Sequence, residues 1–290
     1  MITRREAVRV LGSAAAGGWF ASAAAQDDSA PPLAPGTPMS AQRVAFIEAF
    51  KKQSEGLEKK FEARTHKGEW AMPYRLFRPD AKGKLPLVMF LHGSGGLGGD
   101  NVKQLGLGNV FGTRVWLLPQ NQKSFPCFVV APQTDRGWVR YDPAKWDKGT
   151  AEVIPGLGEG SRMALEMVDS LRREFEIDER RIYVMGQSMG GAGTWNMIAN
   201  RPGFFAAAVA CCGSISKDDG AGSIDTPVWN FHGDADKTVP VSVSRDRMAA
   251  RRKAGGRPVY TEYAGVDHNA WEWAFTEPGL VKWLFGQQRS

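Results

Sequence analysis

From residue 72 onward the chain alternates short apolar runs with segments whose apolar positions recur every three or four residues. The continuous runs Leu87-Val88-Met89-Phe90-Leu91 and Phe128-Val129-Val130-Ala131 predict strands buried on both faces. Residues 72–79 alternate and end on a proline, which predicts the strand that opens the sheet. Residues 181–185, 206–212, 227–231 and 258–263 complete the predicted strands. Between them, 161–175 places Leu165, Val168, Leu171 and Phe175 on one stripe, and further helices are predicted from Met189, over 241–254 and over 271–285. Ahead of the sheet, 42–64 carries Val44, Ile47, Phe50, Leu57 and Phe61 at helical intervals and predicts a helix covering the outside of the domain rather than docking a partner. Strands alternating with helices imply an α/β fold: a mostly parallel central sheet with helices on both faces. Ligands of such sheets bind where the strands end at their carboxyl side.

The N-terminus departs from this pattern. Arg4-Arg5, a weakly apolar stretch over 8–24 and the small residues Ala23-Ala24-Ala25 predict an export signal over residues 1–25. The paired arginines suit twin-arginine export, while Ala7 stands where such signals carry a bulky apolar residue, so that route and the general one both stay open. The stretch is too short and too rich in Gly and Ala for a membrane anchor, which predicts no stable membrane insertion after cleavage. Residues 26–64 then read as a Pro, Ala and Ser-rich spacer with the first helix, and 65–290 as the main folded domain. The expected location is periplasmic or secreted.

Composition changes this picture little. With 42% hydrophobic and 23% charged residues the chain suits one substantial core. A net charge of +6 is scattered, without an arginine stripe interleaved with aromatics, so no nucleic-acid partner is expected. Of the 3 cysteines, Cys127 opens one apolar run while Cys211 and Cys212 close another. In a parallel sheet these lie at opposite ends, so no bridge to Cys127 is expected. No spacing supports a metal site.

The candidate chemistry centres on Gly186-Gln187-Ser188-Met189-Gly190, where a strand turns sharply into a helix and lifts the serine out of the sheet. In a chain with 34 glycines this pattern carries weight only through its flanking strand and helix. A serine needs a base, and there are 4 histidines. His66 precedes the sheet, His92 leads a glycine loop and His232 closes a strand before an acidic loop, which leaves His268, after the last strand, as the base. Asp234 and Asp236 both suit the acid that orients it. Asp236 is preferred, because Asp234 is placed to bond its own turn; Asp267 adjoins the base, and neighbouring side chains diverge. Oxyanion donors are expected from the Met189 N–H and from Ser94 or Gly95 in the loop after residues 87–91. That loop lacks the lysine and spacing of a phosphate cradle. In the long 134–160 loop, Trp138 is the best candidate to line a substrate pocket, with Trp195 and Trp271 as others.

The motifs Leu91-His92-Gly93, Gly186-Gln187-Ser188-Met189-Gly190-Gly191, His232-Gly233-Asp234-Ala235-Asp236-Lys237-Thr238-Val239-Pro240 and Asp267-His268, in that order, resemble the α/β-hydrolase superfamily. Within it the chain is similar to the carboxylesterase, dienelactone-hydrolase and feruloyl-esterase group over residues 70 to 288. The resemblance implies nucleophile Ser188, acid Asp236 and base His268, with oxyanion donors Met189 and Ser94 and no cofactor or metal. The function expected is that of an exported serine carboxylesterase acting through an acyl-enzyme on short or aromatic acyl esters, free or polysaccharide-linked. A serine peptidase of the same fold is the alternative, and a non-catalytic carbohydrate-binding relative is a more distant one.

Overall fold

The apolar runs pair as strands β1 (Glu62–Lys67), β2 (Ala71–Phe77), β3 (Leu85–Leu91), β4 (Phe128–Pro132), β5 (Ile177–Gln187), β6 (Ala207–Cys211), β7 (Val228–Gly233) and β8 (Val259–Tyr263). They form one 8-stranded sheet in the order β1-β2-β4-β3-β5-β6-β7-β8. The two leading strands pair antiparallel and every pair from β4 through β8 is parallel. This computed structural model describes residues 41–142, 144, 153–213 and 224–290. The predicted signal, the spacer up to residue 40 and Trp146 lie outside the described residues.

Strand β3 shows why a continuous apolar run becomes a central strand. All of its residues are buried, and their alternate side chains feed two separate cores. Val88 and Phe90 join Tyr183, Met185, Val209 and Phe231 on one face; Leu87, Met89 and Leu91 join Val130, Val184 and Ala210 on the other. The first face is covered by α1 (Ala41–Gln53), α2 (Asn109–Arg114) and the C-terminal pair α7 (Trp271–Ala274) and α8 (Leu280–Phe285), while α3 (Pro119–Ser124) buries none of its residues. On the second lie α4 (Glu159–Glu174), α5 (Met189–Asn200) and α6 (Val241–Lys253). Leu165, Val168 and Leu171, the expected stripe of α4, are buried there, each contributing about 1.5–3 kcal/mol of transfer free energy.

Three elements differ from the periodicity. The helix expected over 42–64 stops at Gln53, and residues 62–67 form β1 instead. Their composition, Glu-Ala-Arg-Thr-His-Lys, leaves most side chains exposed or half-buried, as suits an edge strand whose charges discourage pairing with other chains. The helix expected over 271–285 is split into α7 and α8, with Pro278 between them. The short helices α2 and α3 stand in a stretch with no clear period. The predicted covering role of α1 holds: its Arg43 guanidinium donates to the Trp273 carbonyl at 2.6 Å and the Thr276 carbonyl at 2.7 Å, tying the helix to the C-terminal segment. Among the described residues no helix is long and apolar enough to cross a membrane.

Candidate active site

Between the end of β5 at Gln187 and the start of α5 at Met189 stands a single residue, Ser188. Its backbone has φ 51° and ψ −122°, a conformation that costs a non-glycine residue about 1–3 kcal/mol. The surroundings hold it there. The Ser188 N–H donates to the Cys211 carbonyl at 2.9 Å, and its carbonyl accepts from the Ala192 N–H at 3.0 Å. Strand and helix meet so closely that a Cβ on Gly186 would lie 2.3 Å from the Gly190 carbonyl oxygen. One on Gly190 would lie 1.9 Å from that of Leu91. Only glycine fits at these two positions.

Two other strand ends bring their loops to this corner. His268, after β8, places Nε2 2.9 Å from Ser188 Oγ and Nδ1 2.8 Å from Asp236 Oδ2, in the loop after β7. An ionised carboxylate only accepts, so Nδ1 carries the hydrogen and Nε2 is left to accept from the serine hydroxyl. Asp236 Oδ1 accepts the N–H groups of Thr238 and Val239, each at 2.8 Å. Burial alone would favour the neutral acid. The donors from His232, His268 and Val239 outweigh it and hold the Asp236 carboxyl well below the usual carboxylate range. Burial likewise works against an imidazolium at His268, but the hydrogen bond to Asp236, the neighbouring Cys212 sulfur and the Asp236 charge together raise the His268 pKa above the ordinary histidine value.

The alternative acids are otherwise engaged. Asp234 Oδ1 accepts from the Gly265 N–H at 2.6 Å, which ties its loop to the turn after β8 instead of closing its own turn. Asp267 Oδ1 accepts from the N–H groups of Lys237 at 3.0 Å and His268 at 2.7 Å.

The glycine loop runs beside the serine. A Cβ built on Gly93 would stand 3.6 Å from Ser188 Cβ. Ser94, exposed, opens the short turn Ser94–Gly96. The backbone N–H groups of Ser94 and Met189 have no hydrogen-bond partner among the described residues, so both are available to a ligand at the corner. His92 shapes the loop from behind: Nδ1–H donates to the Gly93 carbonyl at 2.7 Å and Nε2 accepts the Thr134 N–H at 3.2 Å. Burial pushes its pKa down to about 4, so it serves as a neutral spacer. Asn109 Oδ1, which sequence reasoning did not single out, accepts the Gly93 N–H at 3.1 Å.

Trp138 is corrected. It is 0% exposed, its indole N–H donates to the His92 carbonyl at 2.9 Å and its ring lies 4.9 Å from that of His92. It therefore packs behind the glycine loop and lines no open pocket. A large aromatic with a polar edge finds its hydrogen-bond partner in the core, and a loop position in the sequence does not reveal that. Trp195 is also fully buried, under the Arg247 guanidinium at 4.6 Å. Trp271 is the tryptophan at the site: half-buried, its ring meets that of His268 edge-on at 5.3 Å.

Cys212, considered in the sequence only for disulfides, belongs to this neighbourhood. Its thiol donates to the His268 carbonyl at 3.3 Å, and its Sγ lies 3.8 Å from that of Cys211, both thiols being free. Cys212, Asp236 and His268 are also the one group of metal-ligating side chains gathered among the described residues, with donor atoms within 4.8 Å of one another. Those atoms already bond to each other or to the histidine backbone. His232, set aside in the sequence, touches Asp236, its Nε2 lying 3.2 Å from Oδ2. The available signal was its position: a histidine ending an otherwise apolar strand must find buried partners.

A family described as phospholipase/carboxylesterase matches residues 78–277. Among solved structures, a thermostable esterase aligns with a TM-score of 0.71 and 35% identity over 80% of this chain, which spans 64% of that esterase's length. A ferulic acid esterase shares the fold at TM-score 0.58 and 16% identity, covering 78% of this chain and 97% of that one. So does an acylaminoacyl peptidase from Pyrococcus horikoshii, at TM-score 0.55 and 15% identity, covering 80% and 42%. No protein with a curated description matches the sequence. The strand-turn-helix corner, the mostly parallel sheet and the match over residues 78–277 lead to one conclusion: the chain belongs to the phospholipase/carboxylesterase family of the α/β-hydrolase fold.

Proposed function

We propose that this chain is a serine carboxylesterase in which Ser188 is the nucleophile, His268 the general base and Asp236 the acid that orients it. One observation carries the reading: the unbroken line from Ser188 Oγ to His268 Nε2 at 2.9 Å and from His268 Nδ1 to Asp236 Oδ2 at 2.8 Å. As Ser188 Oγ bonds to the ester carbonyl carbon, its proton passes to His268 Nε2. The resulting imidazolium is stabilised by Asp236 and returns the proton to the leaving alkoxide as the carbon–oxygen bond breaks. Water then attacks the acyl-enzyme by the same route, giving up a proton to His268 and freeing Ser188.

The charge developing on the carbonyl oxygen is met by the N–H groups of Met189 and Ser94. Each such donor contributes about 2.7–4 kcal/mol to the transition state. The Trp271 ring beside the base supports an aromatic acyl group as the substrate, and short or polysaccharide-linked acyl esters follow the same chemistry. No cofactor enters these steps. The export signal read in residues 1–25 would place the enzyme in the periplasm or outside the cell. A serine peptidase is the second reading, favoured by the fold shared with an acylaminoacyl peptidase.

The test is hydrolysis of an activated aryl ester by the full chain beside Ser188→Ala and His268→Ala. Turnover is expected to fall by about 10⁴–10⁶-fold in either variant; equal rates in all three proteins would overturn the assignment. A panel of acetyl, butyryl and feruloyl esters with peptide amides separates the two readings, and peptide-amide turnover that is lost in Ser188→Ala would favour the peptidase.

A further inference from the structure

Asp236 serves two imidazoles. Besides His268, its Oδ2 has the Nε2 of His232 at 3.2 Å, in a pair whose side chains are both 0% exposed. That same nitrogen lies 3.0 Å from the Val239 carbonyl oxygen, which can only accept, so Nε2 carries the hydrogen, donates it to Val239 and turns its positive edge to Asp236 Oδ2 as a second, longer contact. At the other end of the ring, Nδ1 stands 2.7 Å from the hydroxyl of Ser244, buried in the first turn of α6. With Nε2 protonated, the neutral ring accepts there from Ser244 Oγ–H. Every polar atom of His232 is then spoken for, and its orientation is fixed by groups from β7, α6 and the turn between them.

We infer that His232, held by Ser244, is a positioning residue for Asp236, and that it takes a share of Oδ2 which His268 would otherwise have alone. The inference rests on the proposed roles of Asp236 and His268. Its physical content is a competition. A carboxylate oxygen that accepts from two N–H donors gives each a weaker bond than it gives to one. Removing the His232 donor concentrates the carboxylate's charge on His268, stabilises the imidazolium and makes His268 harder to keep neutral.

The other groups facing His232 do not supply the same effect. Glu262 is its register partner on β8, but its carboxylate accepts from Arg245 at 2.6 Å and 3.0 Å and from the Tyr260 hydroxyl at 2.7 Å. Cys212, at the end of β6, turns its thiol to the His268 carbonyl.

The test measures the pH profile of kcat/KM for an aryl ester, with the His268 ring titration followed by NMR, in the full chain. In His232→Phe, which keeps a ring and loses the donor, the acidic limb and the His268 titration are expected to move to higher pH by about half a unit or more. Its kcat should fall about threefold at neutral pH for each half unit of that shift, with KM unchanged. His232→Gln, whose amide N–H reaches the same place, should restore the wild-type limb. Ser244→Ala should give a smaller shift of the same sign. If His232→Phe does not fold, the Gln and Ala variants decide the question. An unmoved limb in the folded Phe and Ala variants would overturn the inference, as would a Gln variant as impaired as Phe. Failure of the parent reading looks different: Ser188→Ala would then turn over the ester at the wild-type rate, while the NMR titration still reports whether His232 acts on His268.

Discussion

His268 and His232 approach the same oxygen of Asp236, at 2.8 Å and 3.2 Å, each with a serine hydroxyl on its other nitrogen, at 2.9 Å for Ser188 and 2.7 Å for Ser244. Composition therefore does not separate the two arms. Their surroundings do. The His268 side chain is 18% exposed and that of His232 is 0%. Ser188 stands at a strained corner beside the free N–H groups of Met189 and Ser94, whereas Ser244 is enclosed in a helical turn. A serine, a histidine and an aspartate become reactive when a substrate can reach the hydroxyl and unspent donors await the charge it develops. Where neither holds, the same three residues make a buried brace.

The largest test of this contrast strikes the shared carboxylate. Asp236→Asn is expected to lower kcat by about 10⁴-fold, because the wrong tautomer of His268 is then favoured. A loss below about tenfold, measured under saturating ester, would contradict the geometry. Next comes the wall behind the glycine loop. Trp138→Ala should cost about 3–5 kcal/mol of stability in chemical denaturation, with KM little changed where the protein is folded; a large KM effect with unchanged stability would return Trp138 to a pocket. Asp234→Asn turns the charge-assisted hydrogen bond from the Gly265 N–H into a weaker neutral one and should cost no more than about 1 kcal/mol of stability with kcat held within about threefold. If it abolished turnover instead, Asp234 would be the acid.

The smallest effect concerns pH. If His268 is the base it works only when neutral, and its pKa is raised above the ordinary 6.5 by Asp236 and Cys212, so kcat/KM should rise with pH through a limb lying above 6.5. A limb at or below that value in a pH-rate profile would mean that the His268 arm is as little perturbed as a free imidazole.

Much of this was legible before any coordinate. Leu87 to Leu91 must be buried on both faces because no side of the run is polar, and that alone implies helices above and below. The corner at Ser188 follows from an apolar strand, two glycines and a helix, and the order Ser188, Asp236, His268 follows from the strand ends. What local pattern misled was the edge: residues 62–67 continue a helical spacing, yet pairing with β2 along Glu62 to Lys67 satisfies their backbone as a strand. Tertiary pairing overrides a weak local period when it supplies a whole ladder of hydrogen bonds.

The sequence by itself determined the sheet, its two covered faces and the three side chains that could meet at its carboxyl edge, because alternation and turn chemistry act between near neighbours. Only the tertiary structure decided which partners each group has. Ser188 and His268 lie 80 residues apart and His268 and Asp236 32, and no periodicity spans such a gap. Distances across the sheet turned Trp138 from a pocket wall into a buried support and His232 from a bystander into a neighbour of Asp236, because a buried polar atom is bound to whatever polar group the fold brings within its reach.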